Sequence, residues 1–424
     1  MLEIEKLKIA VGRKYGKKIT NRPDCEELSN DIYRITKLLI SYNTLRRFFG
    51  IAGRKYNSKV SSSSIEILSV YCGFNSFDEF CTQLESIDNL SNLYKLQLKI
   101  SQSKKIEFLK VQDYLSQLEK NEHIFTLMSH ITNTAFSRCD YNFLNQLFKI
   151  KQVFNGEDYL HAHLYFLIQS IGFQVRNNND LAIKLWKNWS KDSTARYYYF
   201  ELFVDMSMLV RSHYIGIQHY LKHSSSTQDI VFGNSLLVWR FLLLGEVGNA
   251  CNQLSRIYLD VDLTKIHPIP AARLLNCKLL LSSIQNNEVS NEIIEEVAAA
   301  KDFFNTYTHP FFEHFICEGL VLSKCYNLAL IYISDARAKT NFYESYYLRG
   351  SEERLKILEA YCRYKIGEIE YAIQLKREID LETLDSFSKD YDSVFYFAID
   401  KKACSKHNII KIRELGFSHF FSML

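Results

Sequence analysis

The chain has 424 residues, of which only 15 are Gly and 4 are Pro, where average usage places roughly 12% in these two types. That shortage favours helix and works against β-sandwiches and barrels, which need frequent turn residues, and against Pro/Ser-rich disordered chains. The formal charge of +4 is unevenly spread: residues 1–83 carry 14 Lys+Arg against 9 Asp+Glu, whereas the rest carry 38 against 39.

The opening MLEIEKLK carries acids and no apolar core, so no secretory leader is expected. Residues 26–40 place Leu28, Ile32, Ile35, Leu38 and Leu39 at three- and four-residue steps, which predicts an amphipathic helix with Arg34 and Lys37 on its polar side. Ser41 then suits an N-cap, and SYNTLRRFFG (41–50) predicts a short second helix stopped by Gly50. Leu45, Phe48 and Phe49 share one face of it, while Tyr42, Asn43, Arg46 and Arg47 point elsewhere. A basic loop over 53–59 and a serine tract lead to a helix over 64–74 that packs back on the pair, and Ser76 caps another bearing Phe77 and Phe80.

This order resembles the helix-turn-helix of Cro-like phage repressors. Ile40, Ser41, Thr44, Leu45 and Arg47 match the family's entry to its recognition helix, and Ser64, Leu68, Gly73 and Phe74 match the helix after it. Ile35 and Leu39 stand where the family usually carries a small residue and a turn glycine. The segment is also similar to the N-terminus of many uncharacterised Bacteroidetes proteins. The resemblance covers about 60 residues and implies that Tyr42, Asn43, Arg46 and Arg47 face the major groove, where Arg bonds guanine and Asn bonds adenine. It implies phosphate contacts for Lys17, Lys18, Arg54, Lys55 and Lys59.

Residues 86–120 read as a helical connector whose Phe108, Val111, Leu115 and Leu118 form a narrow apolar seam. That seam packs on the following helices or pairs two chains as a homodimer. From residue 121 to 424, apolar helices alternate with short polar turns. The second helix of each pair is anchored at Phe143, Ala182, Gly216, Ala250, Ile293, Ala329 and Ala372. Two consecutive steps of 34 residues match the tetratricopeptide period, and LEAYCRYKIGEIEYAIQLKREI (358–379) resembles a tetratricopeptide unit at Ala360, Tyr361, Gly367, Tyr371 and Ala372. The expected fold is therefore all-α: a small basic helix-turn-helix-like domain (1–85), the connector, and an α-solenoid of tetratricopeptide-like pairs (121–424). A solenoid groove holds a peptide or protein segment, for which Tyr197–Phe200 with Glu201, and residues 341–350, are aromatic-rich candidates against a plainer role in core packing.

Nucleotide-loop, nucleophile-elbow and zincin motifs are all missing from the sequence. His219 with His223, and His161 with His163, lack a visible third ligand, so neither a metal nor a catalytic site is expected, nor any cofactor. The ten cysteines form no Cys-x-x-Cys and read as small buried residues of a reducing cytoplasm. The apolar stretches 235–245 and 319–333 are too short and too interrupted to cross a membrane. Together these features predict a cytoplasmic transcriptional regulator that binds duplex DNA through residues 1–85 and a peptide or protein effector through its repeats. A non-enzymatic adaptor with no DNA binding is the alternative.

Overall fold

A computed structural model describes residues 2–51, 60–103, 105–116, 122–154, 161–257, 261–339 and 351–424. Among these, every regular element is helical and there is no strand. The chain divides into two compact units, Met1–Lys99 and Ile100–Leu424, with the division falling inside a helix.

The first unit holds α1 (Leu2–Tyr15), α2 (Arg22–Thr36), α3 (Tyr42–Phe48), α4 (Ser62–Cys72) and most of α5 (Phe77–Gln102). Their starts follow local chemistry. Asn21 and Asp24 exchange side-chain hydrogen bonds with each other's backbone N–H in a capping box, with Pro23 in the first turn of α2. Ser41, Ser61 and Ser76 accept from the N–H groups of Thr44, Ser64 and Glu79 at 3.1, 3.4 and 3.0 Å. Leu7 and Val11 of α1, Leu28 and Ile32 of α2, Leu45 and Phe48 of α3, and Leu68 and Tyr71 of α4 meet in one core.

The apolar face expected over residues 26–40 is corrected. α2 ends at Thr36 because Lys37 takes the left-handed conformation (φ 61°) and its N–H bonds the Tyr33 carbonyl. Lys37 thus does what a turn glycine ordinarily does. Beyond that reversal the helical period no longer decides which side chain faces inward. Ile40 enters the core, its carbonyl accepting from Ser29 Oγ at 2.6 Å, while Ile35, Leu38 and Leu39 remain exposed.

The second unit begins with α6 (Phe108–Ser116), α7 (Glu122–Ser137) and the one-turn helices α8 (Tyr141–Leu144) and α9 (Lys151–Phe154). Arg138 at the end of α7 donates to the carbonyls of Ile100, Ser101 and Ser103 at 3.0, 2.8 and 2.8 Å, satisfying carbonyls at the C-terminus of α5. The connector seam is used within the unit: Val111 and Leu115 are buried and α6 packs on α9. Leu118 lies outside the described residues. Next come α10 (His161–Asn177), α11 (Asn179–Trp189), the single turn α12 (Ser193–Ala195) and a π-helical turn over Arg196–Glu201. A second π-helical turn, Leu209–His213, runs into α13 (Tyr214–Leu221).

From residue 227 onward the helices come in pairs: α14 (Thr227–Leu243) with α15 (Val247–Leu254), α16 (Pro268–Asn286) with α17 (Asn291–Phe304), α18 (Phe311–Leu322) with α19 (Tyr326–Ala338), and α20 (Ser351–Lys365) with α21 (Ile369–Arg377). The first helix of each pair also packs on the first helix of the next, ending on α22 (Lys389–Ala398), with α23 (Lys406–Glu414) and α24 (Ser418–Met423) closing the chain. The first three of those first helices, α14, α16 and α18, are buried along most of their length, as contact on several sides requires, whereas α20 is richer in charge. Ala182, Gly216, Ala250, Ala329 and Ala372 are buried in the second helices and Phe143 in α8; Ile293 is only half-buried, and Val297 fills the core in its place.

Among the described residues, which include all ten cysteines, no disulfide is formed. Cys25, Cys277, Cys317 and Cys362 are buried, and burial pushes the last three well above the ordinary thiol range. The other six are half-exposed or exposed, so the reading of cysteine as a core residue holds for four. Among the described residues no helix is long and apolar enough to cross a membrane.

Candidate functional site

Two places are candidate sites, one in each unit. On α3, Leu45 and Phe48 point into the core, and the opposite side carries exposed Asn43 with half-exposed Arg46 and Arg47. Both arginines fold back along their own helix: Arg46 Nη1 approaches Asn43 Oδ1 at 3.5 Å, and Arg47 donates to the Asn43 carbonyl at 3.3 Å. Tyr42 lies at the edge of this face, packed against the core, with the Arg22 guanidinium 4.8 Å from its ring. Lys18 is exposed, whereas Lys17 pairs with Glu27 at 3.0 Å, which also accepts from Tyr15. Arg54, Lys55 and Lys59 lie outside the described residues.

The second place is a cavity of about 290 Å³ within the larger unit. Its apolar wall includes Tyr197, Leu202, Phe203, Ile269, Phe311 and Phe315; its polar wall includes Glu201, Arg273, His314, Glu318, Arg354 and Asp385. Three successive first helices supply the polar groups: Arg273 from the second turn of α16, His314 from the first turn and Glu318 from further along α18, and Arg354 from the first turn of α20. The tract Tyr197–Glu201 divides between two duties. Tyr198, Tyr199 and Phe200 are buried, while Tyr197, 49% exposed, and Glu201 line the cavity. The π-helical winding, with Leu202 N–H donating to the Tyr197 carbonyl at 3.0 Å, sets this division, since an extra residue per turn shifts which side chains share a face. The adjoining wall is pinned by Asp205, which takes a two-pronged bond from Arg176 at 2.9 and 2.7 Å.

Beneath the cavity lies a buried ion network. Arg354, its side chain 11% exposed, bonds Glu318 through Nη2, faces His314 Nε2 through Nη1 at 3.4 Å, and pairs with Asp392 through Nε at 3.2 Å. Glu318 also accepts from Tyr391, whose oxygen accepts from Trp239 Nε1 at 3.1 Å. Burial opposes the charge on Arg354, but Asp392 and Glu318 outweigh it and hold the guanidinium above its ordinary value. Burial pushes Asp392 up to about 6 even against Arg354. His314, 3% exposed, is driven well below its ordinary value by burial and by Arg354 and Arg273, so its ring is neutral. With Nε2 accepting from Arg354, the ring proton sits on Nδ1, which has no partner.

Arg273 differs from Arg354. Its Nε, like that of Arg354, is sealed from solvent without a hydrogen bond, but its Nη1 meets only Met206 Sδ at 3.8 Å, and its guanidinium carbon lies 5.0 Å from the centre of the Phe315 ring. Burial pulls it down to about 10, with Glu318 opposing and Arg354 reinforcing the shift.

Sequence reasoning found Tyr197 and Glu201 but missed Arg273, His314, Glu318 and Arg354. A signal was present for the first three: Arg273 inside PIPAARLLNCKLL, and His314 and Glu318 with Glu313 inside FFEHFICEGLVL, stand in largely apolar stretches, where charge is rarely tolerated without a partner. Among the described residues no group of three or more His, Cys, Asp or Glu is placed to hold a metal ion. Comparison with protein-family models, with curated proteins and with solved structures finds no match to this chain.

Proposed function

We propose that the chain is a transcriptional regulator that docks α3 on duplex DNA and receives an effector in its larger unit. One observation carries the reading: a serine-capped short helix, anchored by Leu45 and Phe48, presents Asn43, Arg46 and Arg47 on its outward side within the part of the chain that holds the whole basic excess. Arg and Asn are the residues that bond guanine and adenine edges in the major groove. The unit starting at Ile100 supports the effector half. Its successive helix pairs, with small residues buried in the second helices, are consistent with a tetratricopeptide-like array, and its aromatic, charge-lined cavity suits a ligand.

The expected result is that the full chain binds duplex DNA selected from fragmented genomic DNA, with affinity falling steeply as salt rises. The double substitution Arg46→Ala with Arg47→Ala removes sequence preference, by about 1–3 kcal/mol for each bidentate bond to a base edge that it abolishes. Fluorescence anisotropy on selected and scrambled duplexes measures both. Preference retained in the double variant would show that α3 is not the reading helix.

A second reading has its own support. Tyr33, Ile35, Leu38 and Leu39 form an exposed apolar group at the end of α2, with Leu39 79% exposed, which suits a protein contact and the adaptor role. Absence of duplex binding at low salt, together with wild-type folding, favours that alternative.

A further inference from the structure

We infer that the cavity of the larger unit binds a carboxylate carried on an apolar or aromatic body, with Arg273 as the anchoring cation. This names the chemical class of the effector and rests on the reading of that unit as the effector-binding part.

The argument is an accounting of donors and acceptors around one space. The acids that line it are engaged by donors of the chain. Glu318 takes Tyr391 and Arg354; Asp385 takes Gln169 Nε2 at 3.3 Å and the Phe387 N–H at 3.1 Å; Glu201 takes the Tyr220 hydroxyl at 3.1 Å. Arg354 spends both Nη atoms on Glu318 and His314, and its charge is paired with Asp392, which lies 3.2 Å from an Nε that makes no hydrogen bond. What is left over is donor capacity. Arg273 has no carboxylate within ion-pairing distance and no oxygen acceptor among the described residues. A guanidinium drawn out of water without an anion is costly, and a ligand oxygen pair would answer its planar fork. The Phe315 ring under its plane holds that fork in one orientation.

The rest of the lining narrows the class. Glu201, Glu318 and Asp385 share the space, so a doubly charged phosphate meets repulsion that a singly charged carboxylate largely escapes. Tyr197, Phe311, Ile269 and Leu202 provide the surface for an apolar body, and about 290 Å³ is at the small end of the range for ligand sites, enough for one aromatic acid or the last residue of a peptide. A free small acid and a peptide C-terminus present the same chemistry.

The test uses the full chain at constant chloride, with calorimetry and thermal shift. The probes are 3-phenylpropionate, its neutral amide, phenyl phosphate, and acetyl-Ala-Ala-Phe as free acid and as amide. The free acids are expected to bind and raise the melting temperature, with each amide weaker by about tenfold or more, the worth of one charge-assisted hydrogen bond. A tighter peptide acid identifies a chain terminus as the source, and a tighter phenylpropionate identifies a small molecule. Arg273→Gln is expected to lose about tenfold or more in affinity for the acids, and Arg273→Lys to recover part of it. Ile269→Trp, which fills the cavity and keeps Arg273, is expected to lose binding as well and carries the test if Arg273→Gln does not fold. Equal binding of acids and amides, tighter binding of phenyl phosphate, unchanged affinity in Arg273→Gln, or no acid binding at about 10 mM overturns the inference. DNA binding is measured in parallel on the same preparation: acid binding without DNA binding rejects the regulator and keeps the pocket, and the reverse keeps DNA docking and rejects the pocket.

Discussion

Replacing Arg354 with Met is expected to destabilise the larger unit by about 3–5 kcal/mol, because it strands two buried carboxylates at once. Glu318 and Asp392 are both almost wholly buried and both lean on this guanidinium. Denaturant unfolding monitored by tryptophan fluorescence measures the loss, since Trp239 donates to Tyr391, the other partner of Glu318. Adding Glu318→Gln to the same chain should recover part of the stability, as it removes one stranded charge. A loss below about 1 kcal/mol in the single variant would mean that the network is solvated and contributes little.

The same network sets a pH dependence with a definite sign. Asp392 titrates near 6 in the folded chain, above the usual carboxylate value of about 3.9, because burial penalises its charge while Arg354 offsets only part of that. The folded state therefore holds a proton that the unfolded chain has already released between those two values. The stabilisation from this group is fully present below about pH 4 and is lost as pH rises through about 6. Asp392→Asn is expected to gain stability relative to the wild type as pH is raised from about 4 to 7. A wild-type-minus-variant difference that stays flat across that range contradicts the assignment.

The second large effect is Gly319→Ala. α16 and α18 approach each other closely at Gly319, whose N–H donates to Asn276 Oδ1 at 3.1 Å while Asn276 Nδ2 donates to the Phe315 carbonyl at 2.8 Å. A Cβ at residue 319 would stand 2.6 Å from Asn276 Cγ and 2.8 Å from its backbone Cα, so the side chain cannot simply swing aside. Overpacking of this kind costs about 1–3 kcal/mol, and pushing out Asn276 leaves its buried amide short of partners for about 1–3 kcal/mol more. The paired variant Gly319→Ala with Asn276→Ala should be more stable than Gly319→Ala alone, because it removes the side-chain part of the clash and the stranded amide together and leaves only the backbone contact at residue 276. Calorimetric melting of the three chains decides it.

The helical class of the chain was readable from composition and period alone. Scarce Gly and Pro, serine at Ser41 and Ser76 ahead of apolar runs, and small residues such as Ala250 and Ala329 opening second helices are local signals that act over one or two turns. α3 with its outward Asn43, Arg46 and Arg47 was readable for the same reason, since Leu45 and Phe48 declare the buried face of a seven-residue helix. The turn before it was not: the sign of φ at Lys37 depends on how α2 and α3 meet, and it decides whether Leu39 or Ile40 faces the core.

The cavity was out of reach of any local pattern. Tyr197, Arg273, His314 and Arg354 are separated by about forty to seventy-five residues, and nothing in their spacing marks them as neighbours. They meet because first helices stack on first helices, which brings equivalent turns of α16, α18 and α20 to one space. Local sequence sets backbone propensity and which stripe of a helix is apolar, so it determines that the chain is helical and where helices begin and turn. Which charge is neutralised and which is left facing a cavity depends on distances between segments far apart in the chain, and these exist only once the helices have packed. Arg354 and Arg273 both line the cavity from first helices; packing gives one of them Glu318 and Asp392 as ion-pair partners and leaves the other with none among the described residues.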